Sequence, residues 1–132
     1  MTWAEHKNVS GIFSPKINDK RVFMDASMKT VFHMEAEGQE ESIAVGKYLF
    51  SKNSFLKAEK ILQAAAEHKS TEWLIIDEIG PLELKGKGFC NVLKGILQVQ
   101  HSFKIVLVVR AQLTEDVKTF FDLTETLVFK PD

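Results

Sequence analysis

One cysteine in a chain of 132 residues, Cys90, leaves no partner for an internal disulfide. It falls within a helical pattern, where a buried reduced thiol is the expected role rather than a catalytic nucleophile. Seven glycines and three prolines are too few for a linker or a low-complexity chain. Neither sign of charge dominates: 17 Lys and Arg face 18 Asp and Glu, a net of −1 with histidine neutral. Without a basic excess, general binding to nucleic acid is not expected, although one nucleotide site needs only a few local charges. No run approaches the roughly 18 apolar residues of a membrane span, so no membrane partner is expected. The opening Met-Thr-Trp-Ala-Glu-His-Lys also lacks the apolar segment of a signal peptide. The cytoplasm is the expected compartment.

What is present suits one globular domain with one core. The chain is 45% hydrophobic, and ten Phe residues supply much of the material to be buried. The first residues, Thr2 to Lys7, read as the last turn of a helix. Val9 to Ser14, ended by Pro15, begins an antiparallel-looking region. Asn18-Asp19 is turn chemistry, and Arg21 to Asp25 and Lys29 to Met34 continue a short meander. Glu35 to Ser42 is an acidic run around Gly38 and reads as a solvated loop. Ile43 to Phe50 is expected to include one short strand.

The period changes at Ser54. Ala58, Ile61, Leu62, Ala65 and Ala66 recur at helical spacing, with Asn53 or Ser54 as the expected cap. Trp73 to Ile76 is a continuous apolar run, the pattern of a strand buried on both faces of a parallel sheet. Phe89, Val92, Leu93, Ile96 and Leu97 mark a second helix, and Lys104 to Val109 a second buried strand. Thr114 caps a third helix with Glu115 and Asp116 in its first turn. Thr126 to Phe129 is expected to be a last strand. Alternating strands and helices imply an α/β fold with a parallel sheet and an N-terminal antiparallel annex. The expected division is an annex over 9–50 and a βα core over 54–129, within a single domain.

The chemistry concentrates where the apolar strand runs into Asp77 and Glu78. Ligands of open α/β sheets bind at the carboxyl ends of strands, so two adjacent acids there form a candidate site. An apolar strand followed by Asp-Glu is the Walker B pattern: the Asp helps to hold magnesium, and the Glu orients a water against a γ-phosphate. A strand that simply ends at solvent in two acids is the plainer alternative.

The longer string Asp77-Glu-Ile-Gly-Pro-Leu-Glu-Leu84 resembles the Walker B segment of the small nucleoside-triphosphatase family, known from thermophiles and related to a human cancer-related nucleoside triphosphatase. Other segments agree in order. Gly11-Ile-Phe-Ser-Pro15 with Lys20-Arg21-Val22 resembles that family's glycine-to-proline strand and basic hairpin. Val45-Gly46-Lys47-Tyr48 resembles a segment ahead of its helix, and Ile105 to Arg110 a strand that ends in a basic residue facing the phosphates. The resemblance spans roughly Val9 to Phe129. It implies Asp77 as a magnesium ligand, Glu78 as the catalytic residue that orients water, and Arg110 and Lys47 as contacts to a bound nucleoside triphosphate. The histidine that the family often places beside the basic residue is replaced here by Val109.

One part of that family's machinery has no counterpart in these residues. A P-loop reads Gly-x-x-x-x-Gly-Lys-[Ser/Thr], with backbone N–H groups cradling phosphate. Gly46-Lys47 is followed by Tyr48 and has Glu41 in place of the first glycine; Gly86-Lys87 is followed by Gly88 and has Pro81 there. The expectation is therefore a truncated or degenerate nucleoside triphosphatase, inactive alone, with the P-loop strand missing from its sheet. The family's topology would leave a gap beside Lys104–Val109, closed either by Thr126–Phe129 or by a second copy pairing edge to edge. Two other readings stand beside it: a non-catalytic binding or self-associating module, and a metal-dependent hydrolase using Asp77, Glu78 and Glu83. Glu83 itself reads as a solvated acid. His6, His33, His68 and His101 show no metal-ligand spacing and read as structural.

Overall fold

The computed structural model describes residues 8–99 and 101–129, so the expected helical turn at Thr2–Lys7 and the residue His6 lie outside the described part. Eight strands are described: β1 (Val9–Phe13), β2 (Lys16–Ile17), β3 (Lys20–Asp25), β4 (Val31–His33), β5 (Ser42–Val45), β6 (Tyr48–Ser51), β7 (Trp73–Asp77) and β8 (Lys104–Val108). The helices are α1 (Lys52–Glu67), α2 (Pro81–Leu84), α3 (Cys90–Gln98) and α4 (Thr114–Phe120), with a 3-10 turn at Ala111–Leu113. The fold is α/β, as the alternation of periods predicts.

The main sheet runs β2-β3-β1-β7-β8, with β4 pairing β3. The β1–β7 and β7–β8 pairs are parallel, and β1–β3, β2–β3 and β3–β4 are antiparallel. The Val9 strand thus joins the two parts: it is antiparallel to β3 on one side and parallel to the Asp77 strand on the other. Asn18 and Asp19 both take positive φ, 52° and 63°, as a tight hairpin between β2 and β3 requires. Strands β5 and β6 form a separate hairpin, so Ile43 to Phe50 contributes two strands where one was expected.

Gly11 is the residue that lets β1 and β7 lie so close. Its φ is +120°, and a Cβ there would overlap the Ile75 carbonyl oxygen. The main core fills one face of the sheet, where Ile12, Phe23, Leu74 and Ile76 meet Phe55 and Leu62 of α1 and Leu93 of α3. The other face carries a smaller cluster of Val9, Ala26 and Ile75.

Three boundaries differ from the sequence expectation. The cap of α1 is Ser51, whose Oγ accepts the Ser54 N–H at 3.1 Å; Asn53 and Ser54 already lie inside the helix. Thr114 is the first residue of α4, which follows the 3-10 turn directly. Residues 126–129 form no strand, with Leu127 and Phe129 more than four-fifths exposed. The chain leaves α4 through Asp122 in left-handed conformation, and β-forming residues without a partner ladder stay irregular. The expected closure of this segment onto β8 therefore does not occur, and among the described residues the outer edge of β8 has no strand beside it.

Candidate functional site

Three features of the sequence bring the acids to one place. The run Trp73–Ile76 buries β7 between two parallel neighbours, Gly80 and Pro81 stop it, and the last residues of the run project from the carboxyl end of the sheet. Asp77 ends β7. Its carboxylate oxygens accept the Ser14 N–H at 3.2 Å and the Ser14 hydroxyl at 3.3 Å, from the chain just beyond β1. Ser14 is buried, and the Arg21 guanidinium donates to its carbonyl at 3.4 Å. Pairing of β1 with β7 is what brings Ser14, 63 residues away in sequence, to Asp77.

Glu78 follows across a cis peptide bond. Its Oε2 lies 3.5 Å from Nε of Arg110, just past the end of the adjacent strand β8. The Ile79 N–H donates to the Val108 carbonyl at 3.0 Å, which ties the segment after β7 to the end of β8. Asp77, Glu78 and Arg110 are thus gathered at one end of the sheet. Lys47 is not part of that group: it sits on the β5–β6 turn with its ammonium 5.4 Å from the centre of the Tyr48 ring. An open cleft of about 520 Å³ that includes Asn8, Trp73 and Lys104 lies at the opposite, amino-terminal ends of the strands.

Glu83 departs from its expected role. It is buried, and each carboxylate oxygen accepts one backbone N–H: Gly80 to Oε1 at 2.8 Å and Phe89 to Oε2 at 3.0 Å. The side chain clasps both ends of the loop that follows Glu78. The fit is close enough that a Cβ on Gly88, whose φ is +57°, would overlap Glu83 Oε2. Burial pushes the Glu83 carboxyl above the usual carboxylate range against the pull of the N–H donors, and the nearby Glu78 charge adds to the rise.

Ser14 and the clasp of Glu83 are the parts that sequence reasoning missed. Ser14 lies inside the Gly11–Pro15 string, so its segment was marked although the residue was not. Glu83 lies in the Walker B-like string, but with Lys85 and Lys87 close behind it nothing in the sequence signalled that it turns inward. The Asp77 carboxylate and the neighbouring Ser14 hydroxyl offer an all-oxygen donor set, which suits a hard dication such as magnesium.

Acids and a basic residue gathered at the carboxyl ends of adjacent parallel strands stand where open α/β sheets bind ligands. The family model described as NTPase matches residues 4–129, and the chain belongs to that family. The fold is similar to that of THEP1 from the hyperthermophile Aquifex aeolicus, with a TM-score of 0.61 and 19% identity over 86% of this chain and 69% of that one. It is also similar to a human cancer-related nucleoside triphosphatase, with a TM-score of 0.58 and 19% identity over 84% of this chain and 68% of that one. At these identities the likeness is one of fold. No curated protein sequence matches the chain. Among the described residues no helix is long and apolar enough to cross a membrane.

Proposed function

We propose that the carboxyl end of β7 is the reaction centre of a nucleoside triphosphatase, acting on a nucleoside triphosphate and water to give the diphosphate and phosphate. The observation that carries this reading is the convergence of Asp77, Glu78 and Arg110 where β7 and β8 end. In it Asp77, steadied by the two donors of Ser14, is the ligand that would hold magnesium. Magnesium there would neutralise charge on the phosphate oxygens. Glu78 orients the attacking water. Arg110 keeps Glu78 in place by their ion pair and is the cation that would meet a transferred phosphoryl group. Lys47 has a weaker claim, as an exposed contact to the base or ribose on the separate β5–β6 hairpin.

The same reading holds that these 132 residues alone do not turn over. They contain no Gly-x-x-x-x-Gly-Lys-[Ser/Thr] string, and without that cradle little grips the triphosphate. Isothermal titration of ATP and GTP into the purified chain with magnesium tests this. No binding up to millimolar nucleotide is expected. Micromolar binding that disappears in Asp77→Asn would keep the site and overturn the claim of inactivity; micromolar binding untouched by Asp77→Asn would overturn the site itself.

One observation favours a second role, self-association. Ile105, Val106 and Leu107 of β8 are half-buried and its outer edge is unpaired among the described residues, so a second copy has a strand to pair with.

A further inference from the structure

Away from the nucleotide site, three potential metal ligands meet at the end of β4. His33 ends β4, and the turn at Gly38, with φ of +60°, folds the acidic run back so that Glu37 and Glu40 return to it. One ligand atom from each of His33, Glu37 and Glu40 lies within 4.8 Å of the others. The closest pair is His33 Nε2 and Glu40 Oε2, 3.0 Å apart, close to the separation of two donors that share a cation at about 2.0–2.2 Å from each. Glu37 approaches the other ring nitrogen, with Oε1 at 3.7 Å from Nδ1, and its exposed side chain has room to swing onto a shared ion.

Glu40 is held in position by a hydroxyl outside the triad and by a backbone N–H within it. Its Oε1 accepts the Ser51 hydroxyl at 2.6 Å, and its Oε2 accepts the Glu37 N–H at 2.6 Å. Ser51 is itself fixed as the cap of α1. Such outer partners orient metal-binding carboxylates. The same donors, the Ser51 hydroxyl first, hold the Glu40 carboxyl below the usual carboxylate range. Ser54 Oγ stands 3.4 Å from His33 Nε2 on the remaining side.

The geometry points to a binding site for a zinc-class dication formed by His33, Glu37 and Glu40, with solvent completing its coordination. One imidazole and two carboxylates match zinc and its transition-metal neighbours, whereas magnesium favours oxygen alone. The ion takes the place of the proton that His33 Nε2 shares with Glu40, and that proton leaves to solvent. The inference does not depend on the nucleotide site, since none of these residues contacts Asp77, Glu78 or Arg110 among the described residues.

Calorimetric titration of zinc chloride into the purified chain, with His33→Ala and Glu37→Gln variants in parallel, tests it. The Glu37→Gln variant keeps the His33–Glu40–Ser51 contacts and changes an exposed side chain, so its fold is the control for the first variant. One equivalent of zinc is expected to bind with micromolar affinity. Each variant is expected to weaken it by more than the roughly 10–100-fold that loss of an outer partner costs. No zinc binding by the parent chain, or parental affinity kept by either variant, overturns the site.

Discussion

Glu83 offers the sharpest quantitative test, because one buried side chain accepts from backbone N–H groups at both ends of its loop. Replacing it with Gln preserves shape and volume but exchanges one acceptor oxygen for an NH₂ group. One of the Gly80 and Phe89 N–H groups then faces a donor in a buried loop. An unsatisfied buried donor costs about 1–3 kcal/mol. A chain of this size has a urea slope of about 1–3 kcal/mol/M, so the unfolding midpoint of Glu83→Gln should fall by about 1 M. The slope itself should not change, since the folded state buries the same surface.

The pH dependence gives the test a sign. Burial raises the folded-state pKa of Glu83, so its contribution is fully present below the ordinary glutamate value and is lost as pH rises through the raised one. Gln does not titrate. The stability deficit of the variant should therefore be widest in mild acid and narrow as pH rises through the raised pKa. Urea titrations followed by far-ultraviolet circular dichroism, run at several pH values, read both effects. If Glu83→Gln matches or exceeds the parent on both sides of that titration, the cost of burying the carboxylate outweighs the clasp and the reasoning is refuted.

Two further outcomes follow from the sheet. Gly11→Ala should destabilise by at least about 3 kcal/mol, because the strain of an L-residue at φ of +120°, about 1–3 kcal/mol, adds to overlap with the Ile75 carbonyl; a urea midpoint equal to the parent's would show that β1 can shift away. If β8 is a pairing edge, light scattering should report a dimer, and Val108→Lys at an exposed position of β8 should shift it to monomer with the fold retained; a monomeric parent chain at all accessible concentrations would remove the self-association reading.

The parts of the site that were legible in sequence are those written in consecutive residues. Asp77 and Glu78 stand out because the preceding four apolar residues fix both the strand and the end at which it opens. Arg110 is legible in the same way, one strand later. Ser14 is not, since its role comes from pairing across 63 residues. His33, Glu37 and Glu40 are spaced at i, i+4 and i+7, a helical signature in a segment that is not helical. A left-handed turn at Gly38, and not a helix face, brings them together. Glu83 looked solvated for a related reason: its partners are backbone N–H groups of its own loop, which side-chain patterns do not reveal.

The two apolar strands show what such patterns measure. Trp73–Asp77 and Lys104–Val108 are almost equally apolar, yet the first buries Leu74, Ile75 and Ile76 while the second leaves Ile105, Val106 and Leu107 half-buried and Val108 39% exposed. A run of β-branched and aliphatic residues states how much surface a strand can bury; its neighbours decide how much it does bury. β7 has partners on both sides, whereas β8 has one among the described residues. Covering what is still exposed of three aliphatic side chains would contribute on the order of 1 kcal/mol each at about 25 cal/mol per Å². Among the described residues the backbone groups along that edge face no strand, and a pairing strand would add direction to that gain. The same edge borders the Glu78–Arg110 pair, so a strand arriving there would end, or begin, within reach of the proposed reaction centre. Self-association through that edge would thus place a second copy beside the proposed reaction centre, and the oligomeric state of the chain tests whether the edge is used.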